Sequence, residues 1–292
     1  MNQPEFPVAG RWTGAPRNAA ERHVRQEIPR PPWVRRVEPP VDGLEVADPA
    51  VELTMGAVRA AFAVAPGSSC TGPAGVATGE AGAAVLIALV PGPQEVEDGP
   101  QEVEDGPREV EDGPPGCAGA DSLPAAVVLI RRAAGLRANP GEIAFPGGRI
   151  EPGEEPLAAA LREAEEEVAL RADTLEVLGH LAPLGQYRRS DPIVPFVAAV
   201  RGRPVLEANP EEVDRVLVVP LADLLAPGRY WQERWDDPGS PASPGSPASP
   251  GSPAWTMHFF DLGEDVIWGA TARMLYSFFL RLLRRRETSP LL

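Results

Sequence analysis

Gly148 to Leu170 reads GRIEPGEEPLAAALREAEEEVAL. From Glu155 on, this stretch has few helix breakers and many Ala, Leu and Glu. Pro156 stands in the first turn, where its missing N–H costs nothing, so the composition predicts a helix. Glu163, Glu166 and Glu167 lie at i, i+3 and i+4, which puts three carboxylates on one helical face. Like charges at that spacing repel, and a helix carrying them gains when a cation sits among them. Hard oxygen ligands on a rigid element are what Mg²⁺ or Mn²⁺ takes, with phosphate oxygens completing the shell. An acidic run alone is more often a solvated face. The residues framing this one decide between the two.

Glu154 follows Gly148 by six positions, Arg162-Glu163 comes eight further on, and Glu166-Glu167 follows. This spacing resembles G-x5-E-x7-R-E-U-x-E-E-x-G-U, the Nudix box, at every position but one. Ala169 stands where that family has Gly. Gly is preferred there because it accepts φ > 0, and Ala costs about 1 kcal/mol if the geometry is kept.

The segment just upstream, VLIRRAAGLRANPGEIAFPGG from Val128 to Gly148, narrows the resemblance. Arg132 and Arg137 flank a short Ala/Gly/Leu bend, and guanidiniums beside a metal site clamp phosphates bidentately. Leu129, Arg132, Ala133, Arg137, Gly141 and Phe145-Pro146-Gly147-Gly148 fall at the spacings of L-L-T-x-R-[SA]-x3-R-x3-G-x3-F-P-G-G. That signature precedes the box in coenzyme A pyrophosphatases, and Ile130 replaces its Thr.

The 292 residues suffice for one large domain or two modest ones, and 36 Pro with 29 Gly mean that part of the chain is not packed core. A net charge of −15 argues against a general nucleic-acid binder. Cys70 and Cys117 lie in Gly/Pro/Ser-rich surroundings without zinc spacing, so a reduced cytoplasm is the expected compartment. The N-terminus lacks the apolar region of a secretory signal, and no stretch has the apolar length to span a bilayer.

Residues 1–45 are rich in Pro and Arg and read as a partly disordered arm, leaving 46–292 as the folded domain. DPAVELTMGAVRAAFA has helical spacing, with Asp48 and Pro49 as cap and first-turn residue. AAVLIALV from Ala83 and AAVVLI from Ala125 are apolar runs of strand length, read as a hairpin. Between them three seven-residue copies of GPQEVED or GPREVED form an acidic insertion over 92–116. Pro in every copy and one apolar Val per copy exclude a coiled coil. Nine acids against Arg108 give this tract −8 of the −15, so the remainder carries only −7.

After the acidic helix, LEVLGHLAPL, IVPFVAAV and VLVVPL read as strands and LADLL as a short helix. Glu211 and Glu212, in the turn opened by Asn209-Pro210, are candidate additional carboxylates, with ordinary turn acids as the default. YWQERW and WTMHFF read as paired strands, separated over 237–254 by a Gly/Ser/Pro repeat expected to be a flexible loop. Val266 to Arg286 is amphipathic and ends in three arginines, which suits a helix packed on the sheet. His23, His180 and His258 show no ligand spacing and are assigned no role.

The resemblance implies an α/β/α Nudix sandwich with a mixed β-sheet and both low-complexity tracts in hairpin loops. It also implies an enzyme that cleaves the diphosphate of coenzyme A, giving 4′-phosphopantetheine (or its acyl form) and adenosine 3′,5′-bisphosphate. Glu163, Glu166 and Glu167 would then hold Mg²⁺ or Mn²⁺, with Glu154 and Arg162 orienting them. Arg132, Arg137, Gly147 and Gly148 would meet the substrate. A Nudix hydrolase of ADP-ribose or NADH, and a non-catalytic Nudix ligand sensor, are the alternatives. The partner expected is a small nucleotide, without nucleic acid or stable membrane association; a homodimer stays open.

Overall fold

A computed structural model of the chain describes residues 28, 35–37, 44, 53–63, 81–92, 121–186, 189–202, 204–235 and 255–284. In chain order the elements are β1 (Arg35–Val37), α1 (Met55–Phe62), β2 (Ala83–Pro91), β3 (Ala125–Arg132), β4 (Ile143–Ala144) and β5 (Gly147–Arg149). They continue with α2 (Pro156–Val168), β6 (Leu175–His180), β7 (Leu184–Gln186), β8 (Arg189–Val200), β9 (Val213–Pro220) and α3 (Leu221–Leu224). Last come β10 (Tyr230–Trp235), β11 (Trp255–Asp261), β12 (Val266–Ile267) and α4 (Gly269–Arg284).

The two apolar runs do form a hairpin, and it opens into a fork. β2 and β3 pair antiparallel only where Leu89, Val90 and Pro91 meet Val127, Ala126 and Ala125. Beyond that they part. β4 then pairs with β3, β5 pairs with β2, and Leu86 N–H donates to the Pro146 carbonyl at 2.8 Å. The segment 143–149 therefore fills the fork. On the other edge of β2 runs β8, parallel to it, with β6 and β7 antiparallel beyond, while β9 lines β3. The result is the expected mixed sheet.

Both faces of this sheet are covered, which is why its strands are continuously apolar rather than alternating. Ala84, Leu86, Ala88, Ala126, Val128, Ile130, Val194, Phe196 and Ala198 face α2. Ile87, Leu89, Val127, Leu129, Val197 and Ala199 face the layer that holds α1 and α4. In that layer Phe62 stacks on Phe278 at 5.7 Å, and Arg281 lies over the Phe62 ring at 4.2 Å. A four-stranded sheet, β1-β10-β11-β12, adjoins it. Buried Asp265 links the two sheets, pairing with Arg131 at 3.2 Å and Arg215 at 2.5 Å. No helix among the described residues is long and apolar enough to cross a membrane.

Several boundaries differ from the sequence reading, β8 starting at Arg189 rather than Ile193 and β9 at Val213 rather than Val216 among them. The first helix starts at Met55 with Thr54 as its cap, its oxygen accepting from Ala57 N at 3.2 Å, and 48–52 lie outside the described residues. The run LEVLGHLAPL breaks after His180, and Pro183, which has no N–H for a ladder, precedes the new strand at Leu184. α4 starts at Gly269 and carries the buried stripe Ala272, Leu275, Phe278, Phe279 and Leu282. Most of the N-terminal arm, the acidic repeat beyond Gly92 and the Gly/Ser/Pro repeat fall outside the described residues.

Two devices fix α2. At its C-terminal end Ala169 adopts φ 57°, ψ 26°, so the left-handed turn is kept although the residue is not Gly, and Leu170 N–H reaches back to the Ala164 carbonyl at 3.1 Å. At its other end Arg162 bonds both oxygens of Glu154, at 2.9 and 3.1 Å, and the Arg149 carbonyl at 3.2 Å. Those bonds tie the loop before the helix onto the helix. They also hold the Glu154 carboxyl below the usual carboxylate range, with help from the Glu151 N–H.

Ala169→Gly removes the left-handed strain and is expected to stabilise the chain by about 1 kcal/mol in urea denaturation. An unchanged or lower midpoint would show that Ala169 carries no strain. For Glu154 the folded pKa lies below the unfolded one, so its contribution is complete above an unfolded value of about 4.3 and disappears as pH falls through the folded value. Thermal melts of Glu154→Gln should accordingly lie below the parent at neutral pH and converge with it in acid. A gap that stays constant with pH contradicts this.

Candidate active site

α2 packs on the sheet through small residues. Ala159, Ala160 and Ala164 are fully buried against a strand layer that itself contains Ala84, Ala88, Ala126 and Ala198. Glu167 falls on the same stripe, three residues after Ala164, so the stripe that seats the helix also buries a carboxylate, leaving it 1% exposed. Glu167 Oε2 accepts the Gly147 N–H at 2.9 Å, and Oε1 lies 3.9 Å from the Arg132 guanidinium. Burial pushes the Glu167 carboxyl up to about 7; the Gly147 N–H opposes the rise, the Glu163 charge adds to it and Arg132 opposes it. Glu163 is also raised by burial, against the pull of the Arg162 hydrogen bond and charge.

The two glycines of the fork make this approach possible. A Cβ at Gly147, whose φ is 149°, would run into the Ala84 carbonyl and the Val85 backbone. A Cβ at Gly148 would occupy the position of the Glu163 carboxylate. Backbone at 147–148 thus touches the carboxylates with nothing between.

A third carboxylate arrives from the loop before β9. Asn209 N–H donates to the Glu167 carbonyl at 2.9 Å, and Glu207 N–H to the Val168 carbonyl at 3.2 Å, so the loop closes the end of α2. The Asn209 carbonyl then accepts from Glu212 N at 3.1 Å and Val213 N at 2.7 Å, while Ala133 N–H holds the Glu212 carbonyl at 2.9 Å. One oxygen each from Glu163, Glu167 and Glu212 lie within 4.8 Å of one another. Three hard anionic donors this close, two of them pushed up by burial, fit a hard divalent cation such as Mg²⁺ or Mn²⁺.

Of the carboxylates singled out on the helix, the cluster takes Glu163 and Glu167. Glu166 is 57% exposed and bonds Arg162 at 3.0 Å, as Glu163 also does. Glu154 pairs with Arg162 at the foot of the helix. Arg132 lies against Glu167, with its Nε buried and without an acceptor among the described residues. Arg137 is exposed on the loop between β3 and β4. Glu212, read by default as a turn acid, stands in the cluster instead. Its signal in the sequence was the Asn209-Pro210 turn, but nothing local shows that this turn docks on the far end of α2.

Residues 119–237 match the sequence profile of the NUDIX domain family. Over 105 residues the chain is 42% identical to "Uncharacterized Nudix hydrolase NudL" of Yersinia pestis (strain Pestoides F), covering 36% of this chain and 52% of that one. Over 102 residues it is 36% identical to "Nudix hydrolase 3" of Caenorhabditis elegans, covering 34% and 42% respectively. The chain thus spans about half the length of these curated relatives. Among solved structures, a MutT/nudix family protein from Enterococcus faecalis aligns at 16% identity with a TM-score of 0.41, over 72% of this chain and 65% of that chain. Residues 119–237 are thus similar to the NUDIX domain by profile, and the two relatives that share this similarity carry Nudix hydrolase names.

Proposed function

We propose that the chain hydrolyses the diphosphate bond of coenzyme A or a derivative, giving 4′-phosphopantetheine (or its acyl form) and adenosine 3′,5′-bisphosphate. The observation that supports this reading most is the course of the upstream signature. It runs from the end of β3 through the loop into the fork, so Arg132 lies 3.9 Å from Glu167 on the face that carries the acidic cluster. Cations and carboxylates set side by side suit a polyanionic substrate whose charge needs both neutralising and orienting. Residues 46–292 are read as one domain with two insertions, and 1–45 as an arm.

In this reading Glu163, Glu167 and Glu212 hold Mg²⁺ or Mn²⁺, with Glu166 within reach at the exposed rim. A bound divalent ion neutralises diphosphate charge and lowers the pKa of a water. The Gly147 N–H fixes one oxygen of Glu167, Oε2, while Oε1 lies toward Arg132. Arg162 holds Glu163 and Glu166 in register with the loop that carries Glu154. Arg132 and Arg137 take phosphate oxygens, and the backbone at Gly147 and Gly148 lets them approach closely.

Glu166→Gln and Glu167→Gln are each expected to lower turnover about a hundredfold or more, with melting temperatures near the parent. Full activity in either variant removes that carboxylate from the metal set. Coenzyme A, ADP-ribose and NADH, incubated in parallel with Mg²⁺ or Mn²⁺ and resolved by chromatography, test the substrate. Release of adenosine 3′,5′-bisphosphate that stops on adding chelator is the expected result. Cleavage of ADP-ribose alone would keep the hydrolytic chemistry and discard coenzyme A; no cleavage of any would move the ligand-sensor alternative to the front.

A further inference from the structure

Glu142 plays no part in the account so far, yet the strand register sets it directly across from Arg132. β3 and β4 pair Ile130 with Ala144 and Arg131 with Ile143, and Arg132 N–H donates to the Glu142 carbonyl at 3.0 Å. Ile130 and Ala144 both pack in the layer beneath α2. Two residues along, at the end of β3 and just before β4, Arg132 and Glu142 return to that same face as neighbours across the pair. Arg132 thus has Glu167 on the helix at 3.9 Å and is bonded through its backbone to Glu142 on the neighbouring chain segment.

The two side chains are complementary in what they lack. Glu142 is half-buried, and burial raises its carboxyl while the Arg132 charge pulls it back. Among the described residues its carboxylate makes no hydrogen bond and no ion pair within 4 Å. Arg132 Nε is buried and has no acceptor. A long cationic side chain held by one contact at 3.9 Å has rotamer freedom to lose, and an anion on the same sheet face restricts it.

We infer that Glu142 is a positioning residue: without touching it, its charge across the strand pair draws the Arg132 guanidinium to the α2 face of β3, beside the acidic cluster, rather than into loop 133–141. The effect on turnover rests on the hydrolytic reading above; the electrostatic influence itself does not.

Two readouts separate these. The first is the Arg132 Nε–H signal in ¹H–¹⁵N spectra, assigned by its loss in Arg132→Lys. Glu142→Gln should shift this signal and speed its exchange with water about tenfold or more. Glu142→Asp, which keeps the charge, should move it less. The second is kinetic: Glu142→Gln should raise KM for coenzyme A about tenfold with kcat within about twofold. Combined with Arg132→Ala it should add nothing to the single arginine loss. An Nε–H signal unchanged in position and exchange, or additive KM effects, overturns the inference. A responsive signal in a chain that cleaves no diphosphate supports the positioning and sinks the hydrolytic reading instead.

Discussion

The fold has to bring three carboxylates from two segments within 4.8 Å of each other, with Glu167 buried, Glu163 half-buried and Glu212 exposed. Charges of one sign at such distances repel strongly in a partly dry setting. The chain meets this by placing cations on the flanks. Arg162 restrains Glu163 and Glu166 from the solvent side, and Arg132 faces Glu167 from the sheet side. Neither arginine occupies the middle. The space among Glu163, Glu167 and Glu212 is bounded by anions; burial raises Glu167 to about 7, and the charges of Glu163 and Glu212 add to that rise.

Seating such a helix depends on what is small. Alanines on α2 and on the strands bring the helix close enough for Glu167 to bond the Gly147 amide, and the two glycines remove the side chains that would otherwise fill the gap. The fork between β2 and β3 is the other half of the arrangement. Had the two strands stayed paired to their ends, residues 143–149 would have no place in the sheet, and the amide of Gly147 would not face α2.

Much of this is local and could be read from residue order. The helix and its proline start follow from residue order within one stretch, and the resemblance implied the Glu154–Arg162 bond; whether Ala169 keeps the left-handed exit was left to the structure, which has it. The sandwich and its mixed sheet followed from the resemblance and from apolar runs long enough to be covered on both faces. What could not be read is the part created by chain return. Whether Glu166 or Glu212 joins Glu163 and Glu167 depends on where the Asn209 turn docks, and that is set by backbone bonds to the end of α2. The first helix was misplaced at its start for a simpler reason: Thr54, whose hydroxyl accepts the Ala57 N–H, is the cap of the helix that starts at Met55.

The fork also sets how the acidic tract relates to the chemistry. That tract leaves the sheet after β2 and rejoins it before β3, at the closed end of the hairpin, whereas Gly147 pairs with Val85 at the open end. From Val85 to Pro91 the strand covers about 20 Å at about 3.3 Å per residue. Mobile ions damp a surface charge over about 8 Å at physiological salt. The segment joined at its far tip can gain or lose repeats, and with them net charge, while its points of attachment stay about 20 Å along β2 from the pairing of Val85 with Gly147.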